Sequence, residues 1–530
     1  MASAAAIAAS PRKVWPVLRT IGLVILVLVV AYAAFALYLA TRPVVISFNA
    51  VQRFGDSLPK PAKPEDAAWP GYRAALEQLG FANSSFRAEG VQDALGNRPG
   101  DPQWALLSDW VDSNQPGIAA ARAASKRPVF AFPIAGGRTP ADEALFPSLA
   151  GTPPGAGDWK DREVFPMLGL LLPQYSAIRG LANAFATDMF RAVEQGDGAR
   201  ATDDLEAIMA ISIHVTEGRI LIGDLVAMAI RRTAAAAVIG ALEWKPAAFT
   251  DDQLRRMQAA LRSVPPALER LDLSAERLMF EDAVQRFFSD DGRGDGWFVP
   301  TWAQMRIVNV VEGTSANSSN RERAVPLAAT AFVSVLRPIG SVMVAGRKET
   351  LAHYEAFTRE LEAASVGSPR IVLEQVTPID ARQEVQSGDA RQRTRYSMET
   401  LLAPALSKAA LNVAIDCASR ESACAAIAAE LFHRANKRWP TSAADLAAFN
   451  GGIAPSDPWG DGPIRMASDK DGFRMWSVGR DGKDDGGRVP PSDGSGRASS
   501  STHPNQPAEG GTTVDWVWFA PRGNLDRWRD

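Results

Sequence analysis

Two cysteines and four histidines in 530 residues leave little material for soft-metal or redox chemistry. Cys417 and Cys424 alone exclude a disulfide-rich scaffold and a four-cysteine zinc site. Seven residues apart on one helical stretch, their Cα atoms would lie about 10 Å apart, too far for a disulfide, so they read as free buried thiols. Charge of one sign is lacking too: 57 basic against 60 acidic residues give a net −3, without the basic footprint of a nucleic-acid binder. Tyrosine is scarce at 6 while alanine abounds, which favours helices over sheets. The chain also lacks G-x-S-x-G, Walker A, H-E-x-x-H and dinucleotide-binding glycine patterns in a fitting context. That weighs against an enzyme without excluding a site assembled from scattered residues.

What is present begins with an apolar run. No residue from Thr20 to Thr41 is charged, and about 20 such residues cross the hydrocarbon core as a helix. A cleaved signal peptide competes, but its apolar region is usually about 7–15 residues. Arg12, Lys13 and Arg19 precede the run and Arg42 and Arg53 follow it. This bias favours a single-pass helix in the cytoplasmic membrane, N-terminus inside and body outside. Residues 1–19 are then a cytoplasmic tail, 20–41 the span and 42–64 a proline-rich linker.

Residues 65–377 read as an α-helical body. Helices are expected from 65 to 79, 102 to 113 and 116 to 125, then a Gly/Pro/Asp-rich loop over 133–161. Ile178, Leu181, Phe185 and Met189 repeat at helical spacing, and Gly196-Asp197-Gly198 ends that helix. Leu205, Ile208, Met209 and Val215 build the next, and an alanine-rich helix follows from Ile220 to Glu243. Short turns between long helices imply an antiparallel array or bundle. Thr250 and Gln253 form a capping box. Helices resume at 326–336 and 348–364. The polar stretch 378–396 reads as a second linker, and Pro404 opens a long helix reaching Arg438.

The last stretch carries the densest signals. Trp439-Pro440-Thr441 ends that helix, and Ser442 with Asp445 caps a short one. Asp457-Pro458-Trp459-Gly460 is turn chemistry, 463–467 and 473–478 are hairpin strands, and 513–519 is a third strand. Asp481, Asp484 and Asp485 then crowd among Gly482, Gly486 and Gly487, with Asp515 further on. This order resembles the C-terminal domain of the major pseudopilin of type II secretion. That family has a "YPT" element, a "DPWG" turn, a hairpin and an "S-x-G-x-DG…GG…D" calcium loop, matched here by Ser477 to Gly482, Gly486-Gly487 and Asp515. The resemblance implies a small α+β domain over 397–530, a long helix on an antiparallel sheet. It also implies calcium held by Asp481, Asp484 or Asp485, and Asp515, since calcium takes six to eight oxygens. Without a metal the same residues make a solvated acidic turn. The Ser/Pro/Gly-rich segment 488–512 reads as a disordered insertion. Pseudopilins carry a glutamate early in their N-terminal helix, which this apolar run lacks, so assembly into a pseudopilus is not implied.

The layout, with PEDAAWPGYRAA after the anchor and AVEQGD between helices, also resembles bacterial membrane-anchored helical proteins that carry such a tail and to which no activity is attached. The expected fold is thus mainly α: a transmembrane helix, a helical body and a small pseudopilin-like domain. The expected function is structural or interactive, with membrane lipid and other envelope proteins as partners; an envelope hydrolase with its site in the helical body is the alternative. Two further groups read as structural. Glu430 and His433 form a single E-x-x-H pair, where a di-metal bundle needs two, and Asp290, Asp291 and Asp295 sit in a loop without the family pattern.

Overall fold

The computed structural model describes residues 11–81, 99–150, 159–301, 304, 338–400, 403–469, 472–487 and 515–521. Helix α1 (Pro11–Thr41) contains the apolar run; its segment Leu18–Thr41 has mean hydropathy 2.8 and is almost wholly exposed, as a membrane anchor or a signal sequence would be. The alanine-rich helix Leu221–Trp244 is also long and apolar, but two thirds of it is buried, as befits a core helix.

The chain after α1 differs from the expected linker. Helix α2 (Ala50–Ser57) forms there because Asn49 Oδ1 accepts the Gln52 N–H at 3.2 Å, capping its first turn. Ala50, Val51 and Phe54 bury completely, which the prolines at 59–64 do not prevent. The segment between α1 and α2 is tied down as well. Gln285 Oε1 accepts from the Ser47 N–H at 3.0 Å, and Gln285 Nε2 donates to the Phe48 carbonyl at 3.1 Å.

The body comprises α3 (Trp69–Gln78), α4 (Trp104–Ser113), α5 (Gln115–Ser125), α6 (Pro140–Leu145), α7 (Pro173–Gln195), α8 (Gly198–Thr216), α9 (Leu221–Trp244), α10 (Asp251–Leu261), α11 (Ser274–Phe287), α12 (Arg347–Ala364) and α13 (Pro369–Gly388). Gly196, at φ 80°, closes α7, and Asp197 accepts the Arg200 N–H at 3.0 Å to open α8. The Thr250–Gln253 capping box forms at α10. Helices α7, α8 and α9 pack in succession, and the alanines of α9 let it approach the long helix α16 (Ala403–Asn436) closely. Inside that contact Arg231 Nε bonds Asp416 Oδ2 at 2.7 Å, both side chains 1% exposed.

Residues 378–396, expected as a linker, are helical: α13 continues through Pro378 to Gly388, followed by α14 (Ala390–Arg395) and α15 (Ser397–Thr400). Val372, Val376 and Ile379 bury against α16 and outweigh the polar second half. The loop over 133–161 likewise holds α6, begun by a Thr139–Asp142 capping box. The expected helix at 326–336 and the insertion 488–512 lie outside the described residues.

After α16, Ser442 and Asp445 form the expected capping box of α17 (Ala443–Ala447). Strands β1 (Arg465–Asp469), β2 (Gly472–Ser477) and β3 (Trp516–Phe519) form an antiparallel sheet in that order. Met466 faces Met475, and the register shifts between Met475 and Trp476 where β3 pairs. The sheet rests on α16 and α9, and the Ala520 N–H donates to Glu243 Oε1 of α9 at 2.9 Å. One buried cluster runs from Val51 and Phe54 through α7, α8 and α9 to Trp459, Phe473, Trp518 and Phe519. Head and body therefore share a core.

Candidate functional site

The sequence points first to the acidic loop, and its geometry starts at Asp457, whose side chain is fully buried. Asp457 Oδ1 accepts the N–H groups of Trp459 and Gly460, each at 3.0 Å, and the Ser477 hydroxyl. Oδ2 accepts the Val478 N–H at 3.0 Å and Arg465 Nη1 at 2.7 Å. The turn 457–460 is thereby fastened to the end of β2, which is why aspartate opens it.

Arg465 extends the network outward, its Nε donating to Asp484 Oδ2 at 2.8 Å. Asp484 Oδ1 accepts Trp476 Nε1 and the Gly486 N–H, each at 3.0 Å. Against the opposing pull of burial, these bonds hold its carboxyl below the usual range. Gly487, at φ 67°, lies so close to the Trp476 ring that a Cβ would meet it at 2.7 Å, and its N–H donates to Asp515 Oδ2 at 2.7 Å. Asp515 is buried, its Oδ1 has no partner, and burial, with Asp484 and Asp485 nearby, pushes its carboxyl up to about 6.

Of the four expected calcium ligands, the fold thus gathers Asp484, Asp485 and Asp515 electrostatically. Asp481 accepts the Lys483 N–H at 3.2 Å instead. The fit to calcium is partial: Asp515 offers an orphaned oxygen, while Asp484 is occupied by a guanidinium. Among the described residues no three His, Cys, Asp or Glu side chains form a metal-holding group.

The other flagged residues are structural. Glu430 pairs with Arg434 at 2.7 Å, and His433 stacks on Trp439 at 4.0 Å, so the pair is split. Cys417 and Cys424 are free, and burial pushes their thiols up to about 11 and about 12. Asp290 pairs with Arg347 at 2.8 Å, and Asp291 and Asp295 accept backbone N–H groups of their own loop.

A second constellation, which the sequence reading missed, lies in the body at the N-terminus of α9. Ile220 offers no side-chain cap there. Glu276 of α11 supplies one, its Oε1 accepting the Leu221 N–H at 2.6 Å. Its Oε2 is buried without a partner, as are the hydroxyls of Tyr175 and Tyr354. Both phenols feel the Glu276 charge, and burial above all pushes them well above the usual range. Burial raises Glu276 to about 7; burial, then the Glu276 charge, raises Asp224 of the first α9 turn to about 7. Two carboxyls that titrate near neutrality can exchange a proton with a bound group.

Cavities flank the cluster. One of about 570 Å³ is lined by Arg53, Arg277, Tyr354 and Glu281, the other, of about 470 Å³, by Asp224, Arg231, Asp272 and Glu362. Arg219 and Arg277 line both, Arg219 at φ 46°, a left-handed conformation costly for a side-chain-bearing residue. A third, about 550 Å³, lies under residues 130–136 beside Glu217, whose carboxylate accepts the Phe130 N–H and which burial raises to about 6. Neither Asp224 nor Glu276 falls in a short motif; the signal available was an acidic residue one turn into an uncapped helix. No family model, curated protein or solved structure matches the chain.

Proposed function

We propose that the protein is a membrane-anchored structural or interaction protein of the cell envelope. Its N-terminus is in the cytoplasm, and its body and pseudopilin-like head lie outside, facing other envelope proteins. The observation that carries this reading is the unbroken packing from anchor to head. Ser47 and Phe48 are bonded to α11, α16 runs through both body and head cores, and Ala520 is bonded to α9. A head so fixed is held at one height above the membrane, which suits docking. Protease added to right-side-out spheroplasts should digest the body, and crosslinking from the exposed head residue Ile453 should capture envelope proteins. Full protection from protease would reverse the topology.

Calcium at the acidic loop is part of this proposal, supported by the orphaned Asp515 Oδ1 beside Asp484 and Asp485. When bound, the ion would offset their mutual repulsion, with Asp515 and Asp485 as the open ligands. Calcium in place of chelator should raise the melting temperature of the full chain, and Asp515→Asn should remove the rise. An unchanged wild-type melt would leave the loop held by Arg465 and its backbone hydrogen bonds, without a metal.

An envelope hydrolase is the second reading, favoured by the Asp224 and Glu276 carboxyls between two cavities. Turnover of ester or amide substrates that Glu276→Gln abolishes would establish it; equal activity in both proteins would remove it.

A further inference from the structure

The end of α1 is covered on one side. Tyr32, Phe35, Ala36 and Leu39 are wholly or partly buried, a spacing that forms one stripe of a helix, while Leu37 on the opposite side is 67% exposed. Phe35 meets Trp297 edge-on at 5.5 Å. The loop carrying Trp297 is fastened to the chain around it. Asp290 N–H donates to the Pro43 carbonyl at 2.9 Å, and Arg347 N–H donates to the Gly296 carbonyl at 3.1 Å. The Ser341 hydroxyl bonds the Phe298 carbonyl. Ser341 belongs to a short helical segment, 338–343, whose Ile339, Val342 and Met343 are 50%, 61% and 48% exposed. Trp297 itself is 37% exposed.

Depth then decides what covers these residues. The uncharged run starts at Thr20, and a crossing needs about 30 Å, some 20 residues. From Thr20 to Phe35 the helix rises only about 23 Å. Phe35 is therefore still inside the hydrocarbon of a bilayer that α1 spans, by several ångströms. The Trp297 ring, in contact with Phe35, therefore reaches from its loop toward that depth. Arg42 over the Tyr38 ring at 4.3 Å and the Arg347–Asp290 pair flank the anchor's end, and the Trp297 loop also carries Asp291, Arg293 and Asp295, charges that set this loop at the headgroup level.

We propose that the body carries a second membrane contact: Trp297, Ile339, Val342 and Met343 insert into the bilayer interface beside the last turns of the anchor. The occupant of this apolar patch is lipid, since Trp297 packs on Phe35 of the apolar α1 and Ser341 ties the exposed segment 338–343 to the same loop. The inference rests on α1 being a spanning anchor, and the test separates the two. The full chain, with Cys417 and Cys424 replaced by alanine, is reconstituted in phosphatidylglycerol/phosphatidylethanolamine vesicles. Nitroxides are attached through Val342→Cys, Leu28→Cys and Val385→Cys, all at exposed positions. Accessibility to oxygen and to a water-soluble nickel chelate is then measured.

The expected result is high oxygen and low nickel accessibility at Val342 and Leu28, with the reverse at Val385. Lipid values at Leu28 with water values at Val342 would overturn this inference and leave the anchor standing. Low accessibility to both reagents at Val342 would show a protein interface instead and overturn it equally. Water values at Leu28 would overturn the anchor and the inference together.

Discussion

Asp457→Ala removes one carboxylate that serves five donors, three of them backbone N–H groups. Trp459 and Val478 are buried, so their N–H groups gain no water in exchange, while Gly460 and Arg465 are half-buried and regain some, and the buried Ser477 hydroxyl is free to rotate its proton away. A buried donor left unpaired costs about 1–3 kcal/mol. Two such donors, with partial losses at the other three, give about 3–5 kcal/mol, the range found for breaking a buried ion pair. The opening this releases is local, so amide hydrogen exchange over 472–479 is the assay. At 1.4 kcal/mol per tenfold, protection there should fall by about 10² to 4 × 10³, with little change over α7. Asp484→Ala is the control, because that side chain is 45% exposed and an exposed pair is worth about 0–1 kcal/mol. Equal protection in Asp457→Ala and wild type, or an equal loss in Asp484→Ala, would refute the assignment of Asp457 as the pin of the head.

Further outcomes follow from the buried polar groups. Asp416→Ala strands the Arg231 guanidinium between α9 and α16, and urea unfolding should show a loss of about 3–5 kcal/mol; Arg231→Met with Asp416→Leu should recover most of it. Glu276, raised from 4.5 to about 7, contributes stability that is full below about pH 4.5 and lost as pH rises through 7. Asp224, Glu217 and Asp515 share that sign, so the chain should unfold at higher urea at pH 5 than at pH 8. Glu276→Gln, which keeps an acceptor for Leu221, should gain on the order of 2–3 kcal/mol at pH 8; no gain there would contradict the buried orphan. Cys424, fully buried with its thiol raised to about 12, should resist a thiol reagent at pH 8 until denaturant is added; prompt labelling would show that α16 opens in the native state.

Much of the fold was legible because local signals carried it. The capping boxes at Thr250 and Ser442, the stop at Gly196 and the hairpin around β1 and β2 each depend on residues within a turn of one another. The expected linkers were helical for a different reason. Composition weighed Pro59, Pro61 and Pro378, whereas burial of Ala50, Val51 and Phe54 in the first segment, and of Val372, Val376 and Ile379 along the helix that runs into the second, decided the outcome. The body cluster was hidden more deeply. Glu276 and Leu221 are far apart in the chain, and only the packing of α11 on the start of α9 makes one the cap of the other. In the acidic loop the sequence identified the aspartates but not Arg465, because its role depends on the β1 register that sets it between Asp457 and Asp484.

The claim that the end of α1, the body and the head form one packed unit has a direct measurement. Nitroxides attached through Val45→Cys, just beyond α1, and Ile453→Cys, in the head, occupy exposed sites 42% and 58% accessible. In the full chain, with Cys417 and Cys424 replaced by alanine and the protein in lipid nanodiscs, double electron–electron resonance reads the distance between them. The packing predicts one narrow distance, unchanged by temperature short of unfolding. A broad or two-peaked distribution would mean that the head moves independently of the α1 end and would contradict the account.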